Sequence, residues 1–314
     1  MKRPVRWVFG VLAAVSAVLA VRFALRFPWA GTLDAIADAD WWLLAAASVA
    51  NLASLAAKGW AWHLLLSPAA RLRWRTAQAA TFVGAAVSSV SVSVSGEAAR
   101  IQLAANRDGV PVGAAIWSLV WSRVVEAVAL VLFLAVALAL IPTDGWLRRL
   151  EQASWATLGL LVVLTVVGAW PRLVGLLPAG WRPQLHGPTG DLEPSRLVAP
   201  LVLALVNWVM QWVTYHWAIA ATHVSTSAAV SLVALVAANV GGVFRVTPGN
   251  VGVLQASLVL GMLAFGIAED QALAAGLALQ AVQVLPVLAI GVASVGAQGL
   301  RSMSTKRAET AGAA

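Results

Sequence analysis

Between Trp117 and Leu140 the sequence reads WSLVWSRVVEAVALVLFLAVALAL, and Arg123 and Glu126 are its only charged residues. About 20 apolar residues in a helix cross the hydrocarbon core of a bilayer, so a run of this kind commits the chain to lipid. Similar runs recur along the sequence. Candidate spans fall at about 6–27, 41–66, 112–141, 155–170, 197–221 and 272–299. Charged residues make up 11% of the 314, where a soluble domain carries roughly 25%. The longest polar-leaning interruption, Arg172 to Arg196, is a loop rich in Pro and Gly and too short for a soluble domain. The expectation is an all-α polytopic membrane protein, one integral membrane domain over residues 1–314, with a short disordered tail at about 301–314.

The net charge of +8 would suit nucleic acid, but its cations sit in short loops between apolar spans. Cytoplasmic loops of membrane proteins carry that bias, and nucleic-acid binding is not expected. If the N-terminus is cytoplasmic and the two interrupted stretches described below enter and leave on one side, fourteen Lys and Arg residues fall inside. Only Arg22, Arg26, Arg148 and Arg149 fall outside. The expected location is the plasma (cytoplasmic) membrane, with N- and C-termini cytoplasmic. The basic start and following apolar run are read as an uncleaved first span rather than a signal peptide. With no Cys, disulfides, thiolate zinc sites and Cys nucleophiles are excluded.

Two apolar stretches, about 76–106 and about 228–267, are each broken near the middle. The first break reads AAVSSVSVSVSGEAARIQLAANRDG. Its alternation of Ser and Val has the period of a strand, but a lone strand in lipid leaves its backbone unsatisfied. What remains is a helix that frays into irregular backbone. Ser88, Ser89, Ser91, Ser93 and Ser95 then either line a wet cavity or pack two helices closely. The second break reads NVGGVFRVTPGNVGVLQASLVLG. There Gly241–Gly242 loosens one helix, and Pro248, Gly249 and Gly252 end it and permit a reversal. Arg245 lies in this break, either snorkelling to the interface or facing inward toward an anion. Together these features predict about six full transmembrane helices plus two oppositely facing re-entrant hairpins, the arrangement of an inverted repeat.

Arg123 and Glu126 stand three apart and share a helix face. A lone charge at that depth costs about 2.5–3.5 kcal/mol, so the two are expected to pair. Either the pair only neutralises itself, or Arg123 also faces a cavity and is held by Glu126. Glu97 and Arg100 are likewise one turn apart, just past the first break, and Lys58 lies in an earlier span. Asn207, Gln211, His216 and Asn239 read as polar groups that join helices.

Taken in order, Gly96–Glu97 with Arg100, Arg123 with Glu126, and Pro248–Gly249 with Gly252 resemble a set of elements from one family. They are the "GE..R", "R..D/E" and "P-G-x-x-G-x-x-E" elements of the lysylphosphatidylglycerol synthase transmembrane (flippase-domain) family. The resemblance spans roughly Leu43 to Gly299. This sequence departs from the family in two places. Gln255 stands where the family has an acid, and the Ser/Val run replaces the Pro that usually precedes the first Gly–Glu.

The resemblance implies a stand-alone membrane domain, without the soluble synthase domain, acting as a flippase-like lipid translocase. Its cargo would be an anionic, aminoacylated or polyprenyl-linked lipid moved between leaflets. The implied binding residues are Lys58, Glu97, Arg100, Arg123, Glu126, Arg245, Pro248, Gly249, Gly252 and Gln255, with the arginines on the head-group phosphate. An alternative is a membrane subunit or partner of a separate aminoacyl- or glycosyltransferase. No His-Glu-x-x-His, phosphate-binding Gly loop or Gly-x-Ser-x-Gly turn occurs, so no enzymatic activity, cofactor or metal is expected.

Overall fold

The computed structural model describes residues 37–67, 70–91, 95–140, 145, 148–149, 152–153, 155–156, 195–242 and 250–312, with side chains as far as Ser294. Eight helices run through them: α1 Trp41–Leu66, α2 Trp74–Val90, α3 Ser95–Asp108, α4 Val112–Leu140, α5 Ser195–Ala221, α6 Ala228–Gly241, α7 Val253–Leu263 and α8 Glu269–Gly312. Among the described residues there is no strand. The backbone of α8 continues through the stretch expected to be a tail. The expected span at 6–27, and 155–170 apart from its first two residues, lie outside the described residues.

Among the described residues four helices are long and apolar enough to cross a membrane: α1, α4, α5 and the Glu269–Ser294 part of α8. The chain is therefore an integral membrane protein of polytopic helical class. The described helices form one succession twice over. A long helix, two short ones and a long one (α1 to α4) are followed by the same order again (α5 to α8).

The two leading helices, α1 and α5, pack antiparallel. At one end the Asp40 N–H donates to the Ala221 carbonyl at 2.8 Å. Further along, Gln211 Nε2 donates to Ser54 Oγ at 2.6 Å, and Leu65 packs with Ala204. Rising numbers on α1 thus meet falling numbers on α5. Asp40 also caps α1, its carboxylate accepting from Trp42 N at 2.9 Å and Leu43 N at 3.2 Å, so two of the orphan donors at that helix start are satisfied.

Both broken stretches fold as helical hairpins with their limbs in contact. In the first, small residues let the limbs meet backbone to backbone. A Cβ at Gly84 would lie 2.7 Å from the Gly96 carbonyl, and one at Gly96 would collide with the Ser88 hydroxyl. At the tip, Ser91 and Ser95 join their hydroxyls across the turn. In the second hairpin, Gly241 lies against Ser257 and Gly261 against Ala237. Close backbone approach through small residues is the usual way helices associate in lipid, where no hydrophobic force separates helix from tail.

Helix α8 carries Pro286 in its interior. Proline has no N–H, so the carbonyl four residues earlier, on Val282, has no helical donor. Asn51 of α1, 3% exposed, supplies one through Nδ2 at 3.3 Å. The buried amide thus satisfies the break in α8 and fastens the last helix to the first.

The open base of the first hairpin is clasped by Arg73 and Asp108. The Asp108 carboxylate accepts from Arg73 N at 2.8 Å and from Arg73 Nε at 2.9 Å. Burial alone would raise this carboxyl, but the Arg73 N–H and guanidinium outweigh it and hold it below its ordinary 3.8. A depressed folded value means the clasp stabilises fully above the unfolded pKa and loses that contribution as pH falls through the folded one. The unfolding-temperature gap between wild type and Asp108→Asn is therefore expected to be full near pH ~6 and to close in strong acid. A gap that stays constant into strong acid would show that Asp108 ionisation does not contribute.

Candidate functional site

The hydrophobic clusters leave a polar region between them. One joins α1 to α4 around Trp62, Leu66, Ala80 and Ala115. Another joins the second half of the chain, with the end of α4, around Ile219, Leu235, Leu258 and Leu279. Between the halves lies a cavity of about 530 Å³ to which all the long helices and both hairpins contribute. The first hairpin brings Ser88, Ser89 and Ser91 on one limb and Glu97 and Arg100 on the other. The second brings Asn239 and Gly242, with Asn250 beyond its turn. The regions flanking both breaks therefore face one space.

Five charged residues are arranged on the first half's side. Lys58 Nζ lies 3.1 Å from Glu126 Oε2, and Arg123 Nη1 lies 3.2 Å from the same oxygen. Arg123 Nη2 pairs with Glu97 Oε1. The other Glu126 oxygen accepts from Ser122 Oγ at 3.1 Å. Glu126 thus sits behind the wall as a hub that orients Lys58 and Arg123, which line the cavity with Glu97 and Arg100. The i,i+3 spacing brings Arg123 and Glu126 together as expected, and the structure adds a third member from α1.

Arg100 differs from the other cations. It is 3% exposed, with its guanidinium carbon 4.0 Å from the centroid of the Trp62 ring. Trp62 is fixed in turn by Nε1 donating to Ser118 Oγ at 2.9 Å. A desolvated cation over an indole gains about 2 kcal/mol, well short of the cost of burying an unpaired charge. Arg100 Nε and Nη2 have no hydrogen-bond partner among the described residues. Two donors of a fork suited to planar, bidentate acceptors are left unmet at the cavity wall.

The remaining sequence-derived positions fall as follows. Gln255 is 1% exposed and does not line the cavity. Its Oε1 accepts from Gly252 N at 2.7 Å and its Nε2 donates to Gln280 Oε1 at 3.2 Å. Gly252 takes φ +84°, a value few L-residues adopt. An amide at 255 can cap the α7 start and donate to α8 together, and the cap itself needs no negative charge. Arg245, Pro248 and Gly249 lie outside the described residues.

The lining supplied by the second half of the chain was not anticipated as a site. Gln211, Tyr215, Gln280 and Gln283 line the cavity from α5 and α8. Gln211 also joins helices, as its place in an apolar span predicts, through its bond to Ser54. Residues 7–291 match the family model described as the lysylphosphatidylglycerol synthase TM region. Comparison with curated proteins gives no match.

Proposed function

Because the chain belongs to the lysylphosphatidylglycerol synthase TM-region family, we propose that it is a lipid translocase whose cavity receives a phosphate-bearing head group. One observation carries the reading: Arg100 lines the cavity as a buried cation, and its Nε and Nη2 have no hydrogen-bond partner among the described residues. A lipid phosphate supplies the planar pair of acceptors that such a fork fits. Lys58 and Arg123 add positive potential beside it, and Glu97 and Glu126 hold those cations in place. Arg245, with the Pro248–Gly249 turn, belongs to the same proposed site on the sequence pattern, and Gly252 and Gln255 shape the helix start that follows.

The re-entrant, inverted-repeat reading has support of its own. The hairpin limbs have 17, 14, 14 and 11 residues, so at 1.5 Å per residue none exceeds ~26 Å. Each falls short of the ~30 Å hydrocarbon thickness. Equivalent helices of an inverted repeat run in opposite senses, as α1 and α5 do. Irregular backbone at membrane depth persists where it borders a cavity, and the residues flanking both breaks line one here.

The test is translocation in vesicles. Purified protein in liposomes is expected to move labelled anionic, aminoacylated or polyprenyl-linked lipid between leaflets faster than protein-free liposomes do. No acceleration for any of them by folded protein would reject the translocase and leave a partner of a separate transferase as the reading to pursue.

A further inference from the structure

A second set of cations lies outside the cavity, at the foot of the first hairpin. Residues 71–75 read RLRWR. The backbone is extended at Arg73, and side chains along extended backbone alternate between two sides. Leu72 accordingly turns inward, 5% exposed, and packs with Trp62, Leu66 and Ala77. Arg71, Arg73 and Arg75 remain exposed. Asp108 takes Arg73, whereas Arg71 and Arg75 have no carboxylate partner among the described residues. None of the three lines the cavity.

The depth of this segment follows from its tryptophans. Trp41 and Trp42, at the start of α1, are exposed, and so is Trp60 near its end. At 1.5 Å per residue Trp60 stands ~28 Å along α1 from Trp41, close to the ~30 Å hydrocarbon thickness. Helix α2 runs back along α1, with Gln78 Nε2 donating to the Ala56 carbonyl at 2.9 Å. One turn from that bond on each helix brings Trp74 level with Trp60, and both indoles are 55% exposed. The Arg75 guanidinium carbon lies 5.9 Å from the Trp74 ring centroid.

We infer that the foot of the first hairpin is a docking surface for an anionic phospholipid of the surrounding leaflet, separate from the cavity and independent of the translocase reading. Indoles settle at head-group depth because one end of the ring is apolar and the other wet. Arginines at that depth meet lipid phosphate, whose paired oxygens suit the guanidinium fork. In a zwitterionic lipid the neighbouring ammonium opposes that attraction, and in an anionic one nothing does. One arginine at an anionic surface strengthens association about fivefold. The buried Leu72 and the Arg73–Asp108 clasp fix the segment on either side of Arg71 and Arg75, so their charge is presented at one place.

Lipid contact at this one place tests the inference. The chain has no Cys, so Ser67→Cys, exposed and close to Arg71 in sequence, gives a single attachment point for a fluorophore. The labelled protein is reconstituted in phosphatidylcholine vesicles containing a minor fraction of either phosphatidylglycerol or phosphatidylcholine that carries a nitroxide quencher near the head group. Quenching should report at least ~5-fold local enrichment of phosphatidylglycerol over phosphatidylcholine. Replacing both arginines, Arg71→Gln with Arg75→Gln, should abolish the enrichment. Arg148→Gln with Arg149→Gln, exposed in another loop, and Arg100→Gln in the cavity should both keep it. Equal quenching by the two lipids overturns the inference and leaves an acidic protein as the partner to pursue. Enrichment that survives the loss of Arg71 and Arg75, or that disappears in Arg100→Gln, also overturns it, because the lipid would then be held elsewhere.

Discussion

Arg100→Gln is expected to lower lipid translocation about 100-fold while leaving the protein as stable as wild type or more so. The factor follows from losing charge-assisted bonds to the phosphate, each worth about 1.5–3 kcal/mol. Stability moves the other way because a neutral amide over Trp62 is cheaper to bury than a charge whose Nε and Nη2 have no partner among the described residues. That opposition separates a binding role from a structural one, since a residue kept only for the fold would lose stability on substitution. Arg100→Lys keeps the charge but not the fork and should fall between the two. Arg148→Ala, exposed and beyond the end of α4, serves as the control. Wild-type rates in Arg100→Gln would remove this residue from the site.

Glu126→Leu should have the largest effect on stability, about 3–5 kcal/mol, because it strands Lys58 and removes one of the two carboxylates that hold Arg123. Lys58 loses its 3.1 Å partner, and Arg123 retains only Glu97. Adding Lys58→Met should restore much of the loss. The double variant keeps the Arg123–Glu97 pair and a cluster charge of one positive unit. Thermal unfolding of both single variants and the double measures the coupling, and strict additivity would show that Lys58 and Glu126 do not depend on one another. Exchanging Arg123 and Glu126 is not a neutral swap either. It would set a cation at 126 against Lys58 and a carboxylate at 123 against Glu97.

Long-range placement was the part hidden in the sequence. The α1 bounds follow directly from an apolar run, and both breaks were marked by residues that spoil a helix in lipid, the Ser/Val run and the Gly and Pro pairs. The charged wall was legible for the same reason, since an ionisable residue inside a span is conspicuous. Spacing of three disclosed the Arg123–Glu126 contact, yet nothing local ties Glu126 to Lys58, which is 68 residues away. Trp62 under Arg100 was equally hidden, because indoles are common throughout this chain. The amides that line the cavity from the second half were missed through a different ambiguity. A Gln or Asn in an apolar helix signals only that it needs a partner, and Gln211 shows that one amide can join helices and face a cavity together.

The charge of the cluster formed by Lys58, Glu97, Arg100, Arg123 and Glu126 also has an electrical consequence. These five residues together carry one net positive charge, and a monoanionic head group would bring them to zero. In a translocator that exposes this site to each leaflet in turn, the loaded step would be electrically silent and the return of the empty site would move the charge. A membrane potential would act on that return with up to about 2.3 kcal/mol per 100 mV for a full crossing, drawing the empty site toward the negative side. Anionic lipid should therefore be taken up preferentially from the leaflet facing the negative compartment. Imposing potassium diffusion potentials of opposite sign on proteoliposomes should reverse the favoured direction, whereas rates indifferent to the potential would mean that the empty site returns with its charge already balanced.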